Sequence, residues 1–231
     1  MAKPTISSYL RENVGQFSKK GEPGPYVTIS RQYGCDGYEL GDLLLEQLNE
    51  REDEAPWQLY KKEILEQLAK DTGLTVEIVE QERLSKPSML RDFFRGMRRT
   101  GTPDGYEIRN KIALMVRTVA IEGRALIIGQ GATAATADLK NGLSVRIVAP
   151  REWRIARISI HEKLRKDAAT ARLEEVERKR KYLRKVYEER NPREPAFNLT
   201  IDNSSFNTAQ AAELIIAAME LRQLIGKAIN R

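Results

Sequence analysis

Cysteine, histidine and tryptophan are almost absent from this chain, and so is any long apolar run. In 231 residues there are one cysteine, Cys35, one histidine, His161, and two tryptophans. A single thiol cannot close a disulfide within the chain, and with one imidazole beside it a zinc site lacks its ligands. The opening stretch, MAKPTISSYLRENVGQFSKKGEPGP, has no apolar core of the kind a secretory signal needs. Together these absences lead us to expect a reducing, cytoplasmic location. No run approaches the ~20 apolar residues that span a bilayer. The 41% hydrophobic composition is enough for a sizeable core. We expect a flexible leader over 1–25 and one large domain over 26–231.

A further absence falls in the most informative segment, residues 26–49, YVTIS-RQYGCDG-YELGDLLLEQLN. A β-branched run over 27–30 is broken by Gly34 and Gly37, and Leu40, Leu43, Leu44, Leu45 and Leu48 then recur at helical spacing. A buried strand thus feeds a helix through a tight glycine turn, in outline a phosphate site, because the helix start offers unpaired N–H groups and partial positive charge. The Walker pattern, GxxxxGK followed by Ser or Thr, also needs a lysine for the β and γ phosphates and a hydroxyl for magnesium. Laid over this segment, it puts Arg31 at the first glycine and Gly37 at the lysine. Phosphate cradle and plain structural turn both remain open on these residues alone. Cys35 in the turn is either a reactive thiol or a small residue filling a tight loop.

What is plentiful is positive charge, and it is concentrated. The net charge is +6; residues 151–193 hold 15 Lys and Arg against 8 Asp and Glu, a net of +7, which leaves −1 for the rest. Within that segment 178–185 reads RKRKYLRK. Such a run is either a solvated helix face or a basic arm for nucleic acid.

Periodicity places strands at 26–30, 57–60, 125–129, 143–149 and 197–201. Between them it places helices over 61–71, 88–97, 106–122, after Pro150 and over 209–229, with Gly73 and Gly123 as stops and Thr75 as an N-cap. Strands without internal alternation, separated by helices, predict a mostly parallel sheet covered on both faces. Ligands of such sheets bind beyond the carboxyl ends of the strands, at the switch in strand order. The Gly34 turn, the GQGA turn after Gly129 and the helix start after Pro150 should converge there.

The strand TISRQ over 28–32 with Gly34 and Gly37, then IIGQGA over 127–132, VRIVAPREWRIARI over 145–158, VERKRKY over 176–182 and LTID over 199–202, resemble the cytidylate kinase-like family. The resemblance runs from Tyr26 to the C-terminus. It implies a P-loop NTPase-like three-layer α/β sandwich with a five-stranded parallel sheet, and a helical basic lid over about 151–193 that closes on ATP. It also implies magnesium, transfer of the γ-phosphate to a nucleoside monophosphate, and nucleotides as the partners. On that implication Arg31, Lys179, Arg180 and Arg157 are the catalytic candidates. Gly34, Cys35, Asp36, Gly37, Tyr38, Glu39 and Arg178 are candidates for nucleotide phosphate, and Gln130, Gly131 and Arg154 for the acceptor; no protein metal ligand is assigned. Glu177 sits at the lid's acidic position, or forms an i to i+4 helix pair with Lys181. Arg31 supplies the missing cation, or is an ordinary strand-end arginine. Gln130 replaces an arginine of the family pattern, and Lys61 an aspartate, which bears on whether CMP is the acceptor. The other readings are a nucleotide sensor that has lost the chemistry, and a nucleic-acid-binding protein acting through the lid.

Overall fold

The computed structural model describes residues 23–51, 55–84, 104–189 and 196–226. These fall into two compact units. Within residues 62–115, the described part of the smaller unit contains α2 (Glu63–Thr72), α3 (Val76–Arg83) and the first turns of α4 (Gly105–Glu122). Ile64, Leu65, Leu68 and Val79 are buried, as are Ile108, Ile112 and Met115. α2 stops at Gly73, whose φ of 66° only glycine adopts readily. α3 starts from Thr75, whose hydroxyl accepts the Ile78 N–H. The helix expected over 88–97 lies outside the described residues.

The larger unit holds the sheet. In chain order it comprises β1 (Tyr26–Arg31), α1 (Gly37–Arg51), β2 (Gln58–Tyr60), the rest of α4, β3 (Ala125–Ile128), α5 (Ala132–Ala135), β4 (Gly142–Val148), α6 (Arg151–His161), α7 (Lys166–Glu188), β5 (Leu199–Asp202) and α8 (Thr208–Leu221). Strand order is β2-β3-β1-β4-β5, with every pair parallel. β1 is therefore central: the chain leaves it toward one edge, then crosses to the other side after β3. Val27, Ile29, Leu126, Val145, Ile147 and Ile201 are buried in one cluster with Leu40, Leu44 and Leu48 of α1 and Ile215, Ile216 and Met219 of α8.

Several element ends differ from the periodicity, and at three of them a specific local contact sets the end. β2 begins at Gln58 because the N–H and carbonyl of Trp57 are both bonded to the Asn49 side chain, at 2.6 and 3.3 Å. β5 begins at Leu199 because Asn198 Oδ1 takes the Ser144 N–H at 2.9 Å. α8 ends at Leu221 because Gln223 turns left-handed, φ 56°, and the Leu224 N–H closes on the Met219 carbonyl at 2.9 Å, returning Leu224 and Ile225 to the core.

Candidate active site

The turn between β1 and α1 lies beyond the carboxyl end of the central strand, at the switch point. Gly34 has φ 91°, and a side chain there would meet the Arg154 carbonyl at 2.9 Å. The backbone N–H groups of Gly34, Tyr38 and Glu39 have no acceptor among the described residues. Their neighbours are engaged within the protein: Cys35 N–H on the Gln32 carbonyl, Asp36 N–H on Asn203 Oδ1 at 3.1 Å, and Gly37 N–H on the Cys35 carbonyl at 2.9 Å. A turn with unused donors at the start of a 15-residue helix has the chemistry of an anion cradle.

Four arginines converge on it. The Arg31 guanidinium lies 4.7 Å from the Tyr38 ring centroid and passes over Gly37 and Gly129, where a Cβ would sit 3.0 Å from its Cδ and 2.3 Å from its Nη1 respectively. These two glycines are the space in which Arg31 crosses from β1 toward the turn after β3. Arg154, buried on α6, donates to the Ala149 carbonyl at 3.1 Å and the Tyr33 carbonyl at 3.2 Å, and pairs with Glu177 at 3.3 Å. Arg157, one turn on, pairs with Asp36 at 2.5 Å and stacks 5.0 Å from the Trp153 ring. Arg180 comes from α7: it donates to the Arg31 carbonyl at 3.1 Å and lies 5.3 Å from the Tyr33 ring. Burial and the nearby Arg31 charge push the Arg180 guanidinium down to about 10.

Glu177 is turned into this cluster. Its Oε1 accepts the Tyr33 N–H at 2.7 Å as well as pairing with Arg154, so the helix pair with Lys181 is not the partnership it makes. One carboxylate thus joins α7, α6 and the loop. Tyr33 and Asn203 were not legible as site residues, because nothing in their local sequence separates a loop contact from an exposed polar group.

The remaining candidates are placed differently. Lys179 pairs with Glu175 at 2.5 Å on the outer face of α7, and Arg178 is exposed. Lys185 pairs with Glu189 at 3.7 Å. Hence of the basic run, Arg180 is the cation directed at the loop. Glu39 is exposed in the first turn of α1, where its charge suits the helix dipole. Gln130, at φ 58°, gives its Nε2 to the Lys61 carbonyl at 3.0 Å, and Lys61 Nζ grips Asp42 at 2.5 Å. Gly131, at φ 73°, lies beneath the Tyr187 ring of α7, with no room for a Cβ.

Cys35 is half-buried against the core, and burial, only partly offset by Arg154, pushes its thiol up to about 11. Against an ordinary value of 9.0 this leaves roughly a hundredfold less thiolate at pH 8. The folded protein should accordingly react with a thiol reagent such as iodoacetamide about a hundredfold more slowly than the urea-unfolded chain. Equal rates would show that the thiol is not held protonated by the turn. The sign for stability follows: folding favours the protonated thiol, a contribution complete below pH 9 and lost as the pH rises through 11.

A parallel five-stranded α/β sheet with a glycine turn after the central strand and arginines delivered by the helices after β4 defines a nucleotide kinase-like P-loop fold. The chain belongs to the cytidylate kinase-like family, whose sequence model matches residues 26–205. No curated protein matches it. Among solved structures it is similar to an uncharacterized protein from Eubacterium ventriosum, at 19% identity, 85% coverage of this chain, 98% of the other and a TM-score of 0.60. A shikimate kinase from Acinetobacter baumannii aligns at 19% identity over 90% of this chain and 99% of that one, with a TM-score of 0.48. A dephospho-CoA kinase from Campylobacter jejuni aligns at 15% identity, 86% and 97% coverage, with a TM-score of 0.41. No helix among the described residues is long and apolar enough to cross a membrane.

Proposed function

We propose that this chain is a phosphotransferase that moves the γ-phosphoryl group of ATP to a nucleoside monophosphate. The observation that carries this reading is the convergence of Arg31, Arg154, Arg157 and Arg180, from three elements, on a turn with three unused N–H donors. Transfer between phosphates needs little proton chemistry, since the attacking oxygen of the acceptor is already anionic. The protein's work is positioning and electrostatic stabilisation. The acceptor oxygen attacks phosphorus, the bond to the β-phosphate bridge breaks, and ADP leaves with that electron pair.

In this reading the N–H groups of Gly34, Tyr38 and Glu39 hold the nucleotide's phosphate oxygens. Arg31 takes the charge that the absent Walker lysine would neutralise, and Arg180 closes from the lid side. Arg154 and Arg157 exchange their carboxylate partners, Glu177 and Asp36, for phosphate as the site fills. Gln130 faces the acceptor as a neutral hydrogen-bonding group. Magnesium, when present, neutralises phosphate charge. Among the described residues no group of three acidic, histidine or cysteine side chains is suited to a metal.

The test is incubation with ATP, magnesium and a panel of nucleoside monophosphates, followed by chromatography. A diphosphate product with stoichiometric ADP is the expected result. Binding of ATP without turnover on any acceptor would leave a nucleotide sensor and sink the transfer reading.

A further inference from the structure

We infer that Tyr33 is a positioning residue, the plug that seats the helical hairpin of α6 and α7 on the β1–α1 turn and so fixes Arg180 over that turn. This rests on the phosphoryl-transfer reading and names the side chain that holds its lid cation in place.

α6 and α7 share a small apolar cluster of their own, Ile155 and Ile158 from one helix and Ala169 and Leu173 from the other. Tyr33 packs against that cluster from the turn, as does Leu164 from the link between the helices. Its polar groups are taken by the same hairpin. The N–H goes to Glu177 at 2.7 Å, the carbonyl accepts from Arg154 at 3.2 Å, and the hydroxyl donates to the carboxylate of Glu162, which caps α6. Arg172 of α7 pairs with the same Glu162 at 3.4 Å and lies 5.9 Å from the Tyr33 ring centroid. Burial, and next the bond to Glu162, hold the phenol above its ordinary value, so it stays a donor at neutral pH.

Helical spacing explains how this contact selects one cation of the basic run. Ala169, Leu173, Glu177 and Arg180 follow one another at intervals of four, four and three residues, a single face of α7. That face meets Tyr33: Ala169 and Leu173 in the cluster it plugs, Glu177 at its N–H, and Arg180 with its guanidinium carbon 5.3 Å from the ring centroid. Arg178 and Lys179 stand off it and are exposed. An aromatic face attracts a guanidinium and fixes where it lies, whereas an aliphatic side chain of similar bulk fills the cluster and gives Arg180 no such seat. The backbone bonds of Tyr33 survive a change of side chain, so a substitution here tests the seat of Arg180 and not the anchoring of the turn.

The experiment compares Tyr33→Leu and Tyr33→Phe in the wild-type and Arg180→Met backgrounds, by initial rates with ATP, magnesium and the monophosphate panel. Hydrogen exchange of the α7 amides in the full chain, without nucleotide, is measured alongside. In Y33L kcat should fall by about 10²-fold, the scale of a misplacement of about 1 Å, and Y33F, which keeps the ring, should recover it to within about threefold of the wild type. On the R180M background Y33L should cost less than about threefold more, because the group it seats is gone. The amides of 173–180 should exchange at least about tenfold faster in Y33L than in Y33F. Equal losses from Y33L in both backgrounds, or a rate as low in Y33F as in Y33L, would overturn the role. A wild type that transfers to no monophosphate sinks the transfer reading alone; exchange then decides this one, and equal protection in Y33L and Y33F would remove Tyr33 as the plug. If Y33L does not fold, Tyr33→Met, whose flexible apolar stem fits the same space, is read by the same outcomes.

Discussion

Replacing Arg180 by methionine is expected to lower turnover in the proposed transfer by about 10²–10³-fold, the usual effect of removing one preorganised charge-stabilising donor, while leaving the melting temperature unchanged or slightly raised. Arg180 is held at the loop by the Arg31 carbonyl and the Tyr33 ring, so its guanidinium is already placed where phosphate charge would develop. The same placement is unfavourable without a ligand. Burial and Arg31 lower its pKa from the ordinary guanidinium value to about 10, which means that the charged form is less stable in the folded chain than in the unfolded one. For a base with a depressed pKa that penalty is complete below pH 10 and relieved only as the pH climbs above it. At neutral pH, methionine removes the penalty, keeps an apolar stem and gives up one hydrogen bond of about 1 kcal/mol. Initial rates and thermal melts on the same preparation measure both effects. Wild-type turnover in the variant would remove Arg180 from the catalytic machinery. A rate lost in step with stability would make it structural.

Glu177→Ala should have the largest effect on stability, a loss of about 3 kcal/mol in urea unfolding, the range for breaking a buried ion pair from one side. Arg154 is 7% exposed and would be left with only backbone carbonyls, and the Tyr33 N–H would lose its acceptor. Glu177→Gln keeps an oxygen for Tyr33 and should recover roughly half of the loss, since a neutral bond is about half as strong as a charge-assisted one. An alanine variant as stable as the wild type would show that α7 is not anchored to the loop through this carboxylate. ATP at saturating concentration should restore part of the alanine variant's stability, because phosphate oxygens offer Arg154 a replacement partner.

Much of the fold was legible because it depends on short-range regularities. Leu40, Leu44 and Leu48 repeat at helical spacing whatever surrounds them, and the uninterrupted apolar run 125–128 is as expected of a strand covered on both faces. Gly73 and Thr75 mark a helix stop and start through their own backbone and hydroxyl chemistry. The misplaced ends, at Trp57, Asn198 and Leu221, are those set by contacts such as the pairing of Asn49 with Trp57, which no local pattern encodes.

For the candidate site the division is sharper. The sequence by itself determined a strand, a glycine turn and a helix at 26–49, the missing lysine, and a surplus of arginine in 151–193. It could not rank the cations of RKRKYLRK, because α7 presents successive residues to different faces and only packing decides which face meets the loop. The tertiary structure turned Arg180 inward, left Arg178 exposed and Lys179 on Glu175, and made Glu177 a partner of the loop where a helix pair with Lys181 was equally open. It also set Arg146 beside Ser30, a juxtaposition across 116 residues of chain. Spacing along a helix or strand is fixed by covalent geometry and can be read in one dimension. Which charges share a desolvated space depends on strand order and helix packing, and those exist only once the chain has folded.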